Sequence, residues 1–95
     1  MRLSATHGPV GTIVTVLISG CPMPASGYRG FFADSHAIAT PDDASLRSAL
    51  TVTPSQSNAA TAHYTISSKD TAGSGIFEVL CGSNANATAP FTVDQ

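Results

Sequence analysis

The fold of this chain is decided by the stretch VTVLISGCP, residues 14–22. Its Val and Ile residues occupy every second position, and this period of two is typical of a strand with one buried face. The stretch ends on Cys21, whose only possible partner, Cys81, lies far along the chain in FEVLCGSN. It therefore predicts a strand that a covalent bond ties to a second strand near the end of the sequence.

The same pattern predicts six or seven short strands along the chain, separated by turn-forming residues. Spacings of about ten residues between turns are typical of an antiparallel sandwich or barrel. The predicted strands are 12–19, 30–39, 49–55, 60–68, 76–82 and 89–93. The predicted connections are a loop at 21–30, a helical turn or loop within 40–49, and a hairpin loop at 83–88. The inward positions predict a core of Val14, Val16, Ile18, Tyr64, Ile66, Phe77 and Val79, in a single domain covering 1–95.

The composition excludes several classes of function. Of the 95 residues, 42% are hydrophobic and only 11% are charged, and the net charge is −2. The four basic residues are scattered, so we expect no surface for nucleic acid or for anionic membranes. No apolar run approaches the ~18 residues of a membrane-spanning helix, so membrane insertion is not expected either.

Two cysteines in a small, Thr-rich β chain favour one disulfide, Cys21–Cys81, that joins two sheets. Buried free thiols are the alternative, and a metal site is less favoured because the three His residues are dispersed. A disulfide implies an oxidising compartment, so we expect an extracellular or cell-surface location. Residues 1–8 lack an apolar signal-peptide core, so the chain would be an excised or signal-less piece of an exported protein. Asn-Ala-Thr at residues 86–88 matches the N-glycosylation acceptor pattern.

Two blocks of the chain resemble a known family. GPVGTIVTVLISGCP, residues 8–22, resembles the opening of bacterial immunoglobulin-like modules, which are common in secreted and wall-associated proteins of actinobacteria. TAGSGIFEVLCGSNANATAPFTV, residues 71–93, resembles their close, and IPT/TIG-type domains share the same opening and the FTV ending. The chain departs from this pattern at Phe77, where these modules usually carry Tyr, and it lacks the Trp of antibody-type domains.

The resemblance implies an all-β, Ig-like Greek-key β-sandwich of about seven antiparallel strands with one inter-sheet disulfide. It also implies a non-enzymatic spacer, stalk or adhesive module whose partners are neighbouring domains or other proteins, with no cofactor. The alternative is a sandwich that binds a small ligand or a carbohydrate. An enzyme is the least favoured of the three hypotheses.

The sequence YRGFF, residues 28–32, is the densest cluster of binding-type residues in the chain. Tyr28, Arg29, Phe31 and Phe32 belong to residue types that are enriched at interaction hot spots, so they are candidate contact residues. The alternative is that the aromatic residues here belong to the core. Phe31 and Phe32 must face opposite sides of a strand, so one of them faces outward or is covered by a loop. An exposed platform of aromatic rings would favour the small-ligand or carbohydrate hypothesis.

No reaction is predicted from the sequence. Asp34, Ser35 and His36 have the residue types of a hydrolase triad, but in a strand Ser35 would face away from the other two. Asp42 and Asp43 do not supply the alternating oxygen ligands that a calcium loop needs. We therefore assign no catalytic residue, no metal site and no cofactor.

Overall fold

The structure is a computed structural model that describes residues 1–82 and 86–95. The described residues form eight β-strands, one short α-helix and one 3₁₀ turn. The strands are β1 (Arg2–Leu3), β2 (His7–Gly8), β3 (Ile13–Ile18), β4 (Arg29–Ala33), β5 (Ser48–Gln56), β6 (Ala59–Thr65), β7 (Gly73–Leu80) and β8 (Asn86–Val93). The helix, α1, covers Ser35–Ala39, and the 3₁₀ turn covers Ala44–Leu46. The all-β class predicted from the sequence is confirmed.

The eight strands form one curled sheet in the order β1-β3-β6-β5-β4-β7-β8-β2. Neighbouring strands are antiparallel, except that β2 and β8 are parallel. The start of β5 pairs with β4 and its later residues pair with β6, so β5 connects the two halves. Tyr64 of β6 and Phe77 of β7 have ring centroids only 5.9 Å apart, although their strands are three places apart in the sheet. This contact requires the two halves to face each other.

The core lies between the two halves of the sheet. It contains the side chains that point inward, which are alternate residues along the strands. The predicted core is confirmed: Val14, Val16, Ile18, Ile66, Phe77 and Val79 are buried, and Tyr64 packs against them half-buried. Phe77 also contacts two further buried rings, with centroid distances of 4.6 Å to Phe32 and 5.8 Å to Phe91. Tilted and edge-on aromatic pairs of this kind add stabilisation beyond the burial of their area.

The prediction of a strand over 30–39 is wrong for the second half of that range. β4 ends at Ala33, and α1 follows it. The reason is a helix cap, because Oδ1 of Asp34 accepts a hydrogen bond of 2.8 Å from the backbone N–H of Ala37. An Asp at this position satisfies an N–H that has no partner within the helix. The short helix is therefore specified by a capping residue, and the alternation of residue types does not reveal it.

Other predicted boundaries differ by a few residues. The helical turn considered within 40–49 is present as the 3₁₀ turn, which Asp43 caps. β7 begins at Gly73, which is earlier than predicted. Asn86 already belongs to β8, so the end of the predicted hairpin loop at 83–88 is strand. The first part of that loop, residues 83–85, lies outside the described residues.

Candidate functional site

Cys21 and Cys81 form a disulfide between residues 60 positions apart, with Cα atoms separated by 5.1 Å. Cys21 follows β3 and Cys81 follows β7, so the bond joins the two halves of the curled sheet. Backbone hydrogen bonds reinforce this end: Cys21 N donates to Asn58 O at 2.9 Å, and Gly82 N donates to Pro22 O at 2.7 Å. The predicted disulfide is therefore confirmed.

The four predicted contact residues lie in three different environments. Tyr28 is half-buried, and its hydroxyl donates a hydrogen bond to the backbone oxygen of Cys21. Arg29 is exposed, Phe31 is half-buried on the outer face of β4, and Phe32 is 0% exposed in the core. Tyr28, Arg29 and Phe31 nevertheless line one shallow hollow of ≈ 220 Å³, whereas Phe32 faces the core. The structure thus brings three of the four predicted residues together, but it does not form an exposed aromatic platform from them. All the Tyr and Phe residues of the chain are buried or half-buried.

A hollow of ≈ 220 Å³ lies on the outer face of β4 and β7, beside α1. Phe31 and Ala33 of β4 and Ile76 of β7 line its floor, and Ile38 of α1 contributes a side. Arg47 and Glu78, which carry opposite charges, also line this hollow. Sequence reasoning identified only Phe31 in this set.

Part of the hollow could have been found from the sequence. The alternation of residues in β7 places Ile76 and Glu78 outward, opposite the inward Phe77. The other side was missed because Ile38 was assigned to a strand, and the structure places it on α1. No local pattern shows that a helix after β4 stands beside the outer face of β7.

Residues near the start and the end of the chain meet in a parallel pair of strands. β2, which contains His7 and Gly8, lies beside the end of β8. Thr92 N donates to Thr6 O at 2.9 Å, and Asp94 N donates to Gly8 O at 2.8 Å. The side chains add a contact of 2.8 Å between His7 Nδ1 and Asp94 Oδ2. A strand of two residues has no periodic pattern, so the sequence gives no signal for this pair.

Asp34, Ser35 and His36 do not form a catalytic arrangement. Asp34 Oδ2 accepts a hydrogen bond of 2.8 Å from Thr71 N, and Ser35 Oγ donates one of 2.9 Å to Ala72 O. His36 is exposed on α1, so the expectation that it shares a strand face with Asp34 is wrong. Across residues 1–82 and 86–95, no three His, Cys, Asp or Glu side chains are grouped to hold a metal ion.

Tyr64 is a half-buried hydrogen-bonding group with a structural role. Its pKa is raised from 10.0 to about 12, and burial is the largest cause; a hydrogen bond with Ser48 lowers the pKa in part, and the hydrogen bond and charge of Asp70 contribute to the rise. The Tyr64 hydroxyl donates to Asp70 Oδ2 at 2.8 Å, and the same oxygen accepts from Ser67 N at 2.8 Å. Tyr64 thereby ties β6 to the turn that precedes β7, and it stays protonated at neutral pH.

The acceptor tripeptide at residues 86–88 begins β8. Asn86 and Thr88 are both exposed, because alternate residues of a strand share one face. The side chain that a glycan would modify is therefore accessible from the outer face of the sheet.

No family model, curated protein or solved structure matches this chain. The resemblance to bacterial Ig-like modules thus depends on the two sequence blocks alone and stays a prediction. In the part of the chain that the structure describes, no helix has the length and apolar character needed to cross a membrane.

Proposed function

We propose that this chain is a non-enzymatic Ig-like module of an extracellular or cell-surface protein, and that it acts as a spacer that carries tension. The strand order supports the Ig-like part of this proposal. In an Ig domain, strands A, B, E and D form one sheet and strands C, F and G form the other. With β1 and β2 taken as two parts of strand A, the order β1-β3-β6-β5 corresponds to A-B-E-D. The remaining strands, β4-β7-β8, correspond to C-F-G.

The position of the disulfide supports the same proposal. Antibody domains join strands B and F by a disulfide across the sandwich. Cys21 lies three residues after the end of β3, which corresponds to B, and Cys81 directly follows β7, which corresponds to F. A disulfide of this kind persists in an oxidising compartment, which supports an extracellular location.

The observation that carries the spacer role is the parallel pairing of β2 with β8. Tension applied before β1 and after β8 pulls two parallel neighbours in opposite directions along their own axes. The hydrogen bonds from Thr92 N and Asp94 N are then loaded together in shear. Bonds loaded together resist force better than bonds that open one after another. The β2–β8 pair is thus the parallel contact that tension on the two ends loads in shear.

The alternatives find less support in the geometry. A carbohydrate platform needs exposed aromatic rings, and every Tyr and Phe of this chain is at least half-buried. A hydrolase needs a nucleophile beside a base, whereas Ser35 is bonded to the backbone and Asp34 caps a helix. Both groups act in holding the fold together.

Force spectroscopy tests the proposal. The chain is placed between marker domains of known unfolding force and pulled by its two ends. With the disulfide closed, the 60 residues within the bond cannot extend, so unfolding releases at most roughly 35 of the 95 residues, or about 120 Å. We expect one resistant unfolding event of that length, and an extension of at most roughly 330 Å for the reduced chain.

Two proline variants provide the decisive comparison. Thr92→Pro removes the N–H that bonds to Thr6 O, so we expect the unfolding force to fall. Thr88→Pro makes the same change on the same face of β8, at a position that β2 does not cover, and should leave the force nearly unchanged. Equal forces for Thr92→Pro and the unmodified chain would contradict the spacer role, as would unfolding without a resistant event.

A further inference from the structure

The hollow beside α1 has the size of a single side-chain pocket. Its volume of ≈ 220 Å³ equals that of about seven water molecules at ~30 Å³ each. The floor formed by Phe31, Ala33 and Ile76 is apolar, and Ile38 beside it is 47% exposed. Ala33 has the smallest side chain of these four, so the sheet surface is lowest there. A large aliphatic side chain entering this hollow would cover Ile38 and displace water from apolar surface.

Two opposite charges line the same hollow without meeting each other. Arg47 is exposed and Glu78 is half-buried. Among the described residues, neither Arg47 nor Glu78 takes part in a salt bridge. A carboxylate that is partly buried beside apolar groups is stabilised by a cation that contacts it. Both charges are therefore available to a ligand.

The strand register fixes the distance between these charges. Phe32 pairs with Ser48, so Arg47, whose backbone is extended, lies level with Ala33. Glu78 pairs with Phe31, two residues away along β4 and on the opposite side. Two strand spacings across and two residues along place the Cα atoms of Arg47 and Glu78 roughly 12 Å apart. The floor of the hollow lies between them.

We infer that the hollow binds an extended peptide segment of a partner protein, in which a large aliphatic residue lies between an acidic and a basic residue. The aliphatic side chain enters the hollow, the acid pairs with Arg47, and the base pairs with Glu78. In an extended peptide, residues two places on either side of a given residue point the same way as it does. Such flanking residues are about 13 Å apart, which matches the spacing of the two charges. This inference does not depend on the spacer role.

The pattern of charges determines which peptides should bind. A peptide with the order acid-x-aliphatic-x-base fits, and so does the reverse order, because an extended chain can lie in either direction. Two acids or two bases place one like charge against Arg47 or Glu78 and bind less well. A carbohydrate is less suited to this surface, because Phe31 offers the one aromatic ring that lines the hollow.

Titration of the isotope-labelled chain, monitored by NMR amide shifts, tests the inference. The probe is acetyl-Asp-Thr-Leu-Thr-Lys-amide, whose Thr residues favour an extended backbone. The comparison peptides replace Leu by Ser, Lys by Asp, or Asp by Lys. We expect saturable shifts at Phe31, Ile38 and Ile76 with the probe, and a dissociation constant roughly two- to fivefold higher for each like-charged peptide. Saturable shifts at these positions with cellobiose, and none with the probe, would overturn the inference.

Variants of exposed residues separate binding from folding. Arg47→Gln should weaken binding of the probe roughly two- to fivefold. It should also remove the difference in affinity between the probe and the peptide with two bases. Arg2→Gln makes the same change in charge on β1, outside the hollow, and should bind like the unmodified chain. Ile38→Ser removes the apolar side and should also weaken binding. Equal affinities for Arg47→Gln, Ile38→Ser and Arg2→Gln would contradict a site in this hollow.

Discussion

The carboxylate of Asp34 accepts a hydrogen bond from the backbone N–H of Thr71, which lies 37 positions later in the chain, at a distance of 2.8 Å. The other oxygen of the same carboxylate caps α1 through Ala37 N. Asp34 is 6% exposed; its bond to Ala37 is buried and its bond to Thr71 is partly buried. One side chain therefore holds the helix after β4 and the turn before β7 in fixed relation, and this helix forms one side of the hollow.

Asp34→Ala should destabilise the chain by about 2–4 kcal/mol, because it removes a helix cap and a second charged hydrogen bond. Asp34→Asn should be less stable than the unmodified chain but more stable than Asp34→Ala, since its amide oxygen can still accept one of the two hydrogen bonds. Asp43→Ala is the matched control, because Asp43 is exposed and caps only the 3₁₀ turn. Urea unfolding monitored by circular dichroism measures all three. Equal losses for Asp34→Ala and Asp43→Ala would show that the bond to Thr71 contributes nothing.

The strands of the core could be predicted because their signal is local. Every second residue of β3 and β6 is apolar, and this pattern alone determines which face is buried. The disulfide could be predicted because two cysteines allow a single pairing. Both inferences need only the order of residues along the chain.

The remaining features depend on contacts that no local pattern encodes. From the sequence, Asp34 is predicted to be a polar residue in a strand, and only its hydrogen bonds to Ala37 and Thr71 show its capping role. Arg47 and Glu78 come to one hollow through the registers of two strand pairs, so their proximity follows from the tertiary structure. Helix capping and strand register therefore determine which side chains meet at the surface, whereas the alternation of apolar residues determines which side chains form the core.

The Cys21–Cys81 bond should supply a large share of the stability. Closing a loop of 60 residues contributes about 4 kcal/mol in the chain-entropy model, against a typical total of about 5–15 kcal/mol. We expect dithiothreitol to lower the urea midpoint of the unmodified chain strongly. The double variant Cys21→Ala/Cys81→Ala should have a low midpoint that dithiothreitol does not change. A midpoint that survives reduction, with both thiols shown free by alkylation, would refute this contribution.

Tyr64 should make the chain sensitive to alkali in a defined window. Its pKa is about 12 in the folded chain and 10.0 in the reference state, so the unfolded chain loses this proton first. The stabilisation is fully present below pH 10.0 and is lost as the pH rises through about 12. Stability measured by urea unfolding should fall across this window in the unmodified chain and fall less steeply in Tyr64→Phe.

The control for this slope is Tyr28→Phe, which removes a hydroxyl bonded to Cys21 O and leaves Tyr64 in place. It should keep the steep alkaline loss of the unmodified chain. Tyr64→Phe should also lose about 1–2 kcal/mol at neutral pH, because Asp70 then lacks one of its donors. Parallel curves for Tyr64→Phe and the unmodified chain above pH 10.0 would contradict the assignment.

Pro90 protects the open edge of β8. Thr92 N and Asp94 N both donate toward the β2 side, so the period of two along the strand places the nitrogen of Pro90 toward the same side. β2 pairs with only the last two residues of β8, and Pro90 lies where this cover has ended. A proline has no N–H to offer, and edge strands that lack a donor pair poorly with other chains.

Pro90→Thr should therefore promote association between copies of the chain. Thr restores a donor on the uncovered edge, beside the residues that β2 pairs with, and favours a strand, so we expect a shift from monomer toward dimer or larger species as concentration rises. Pro90→Lys restores the same donor but adds a positive charge that repels its copy across a paired edge, so it should associate less. Sedimentation velocity over a range of concentrations measures this order. Identical sedimentation of Pro90→Thr and the unmodified chain at every concentration would show that the proline does not guard this edge.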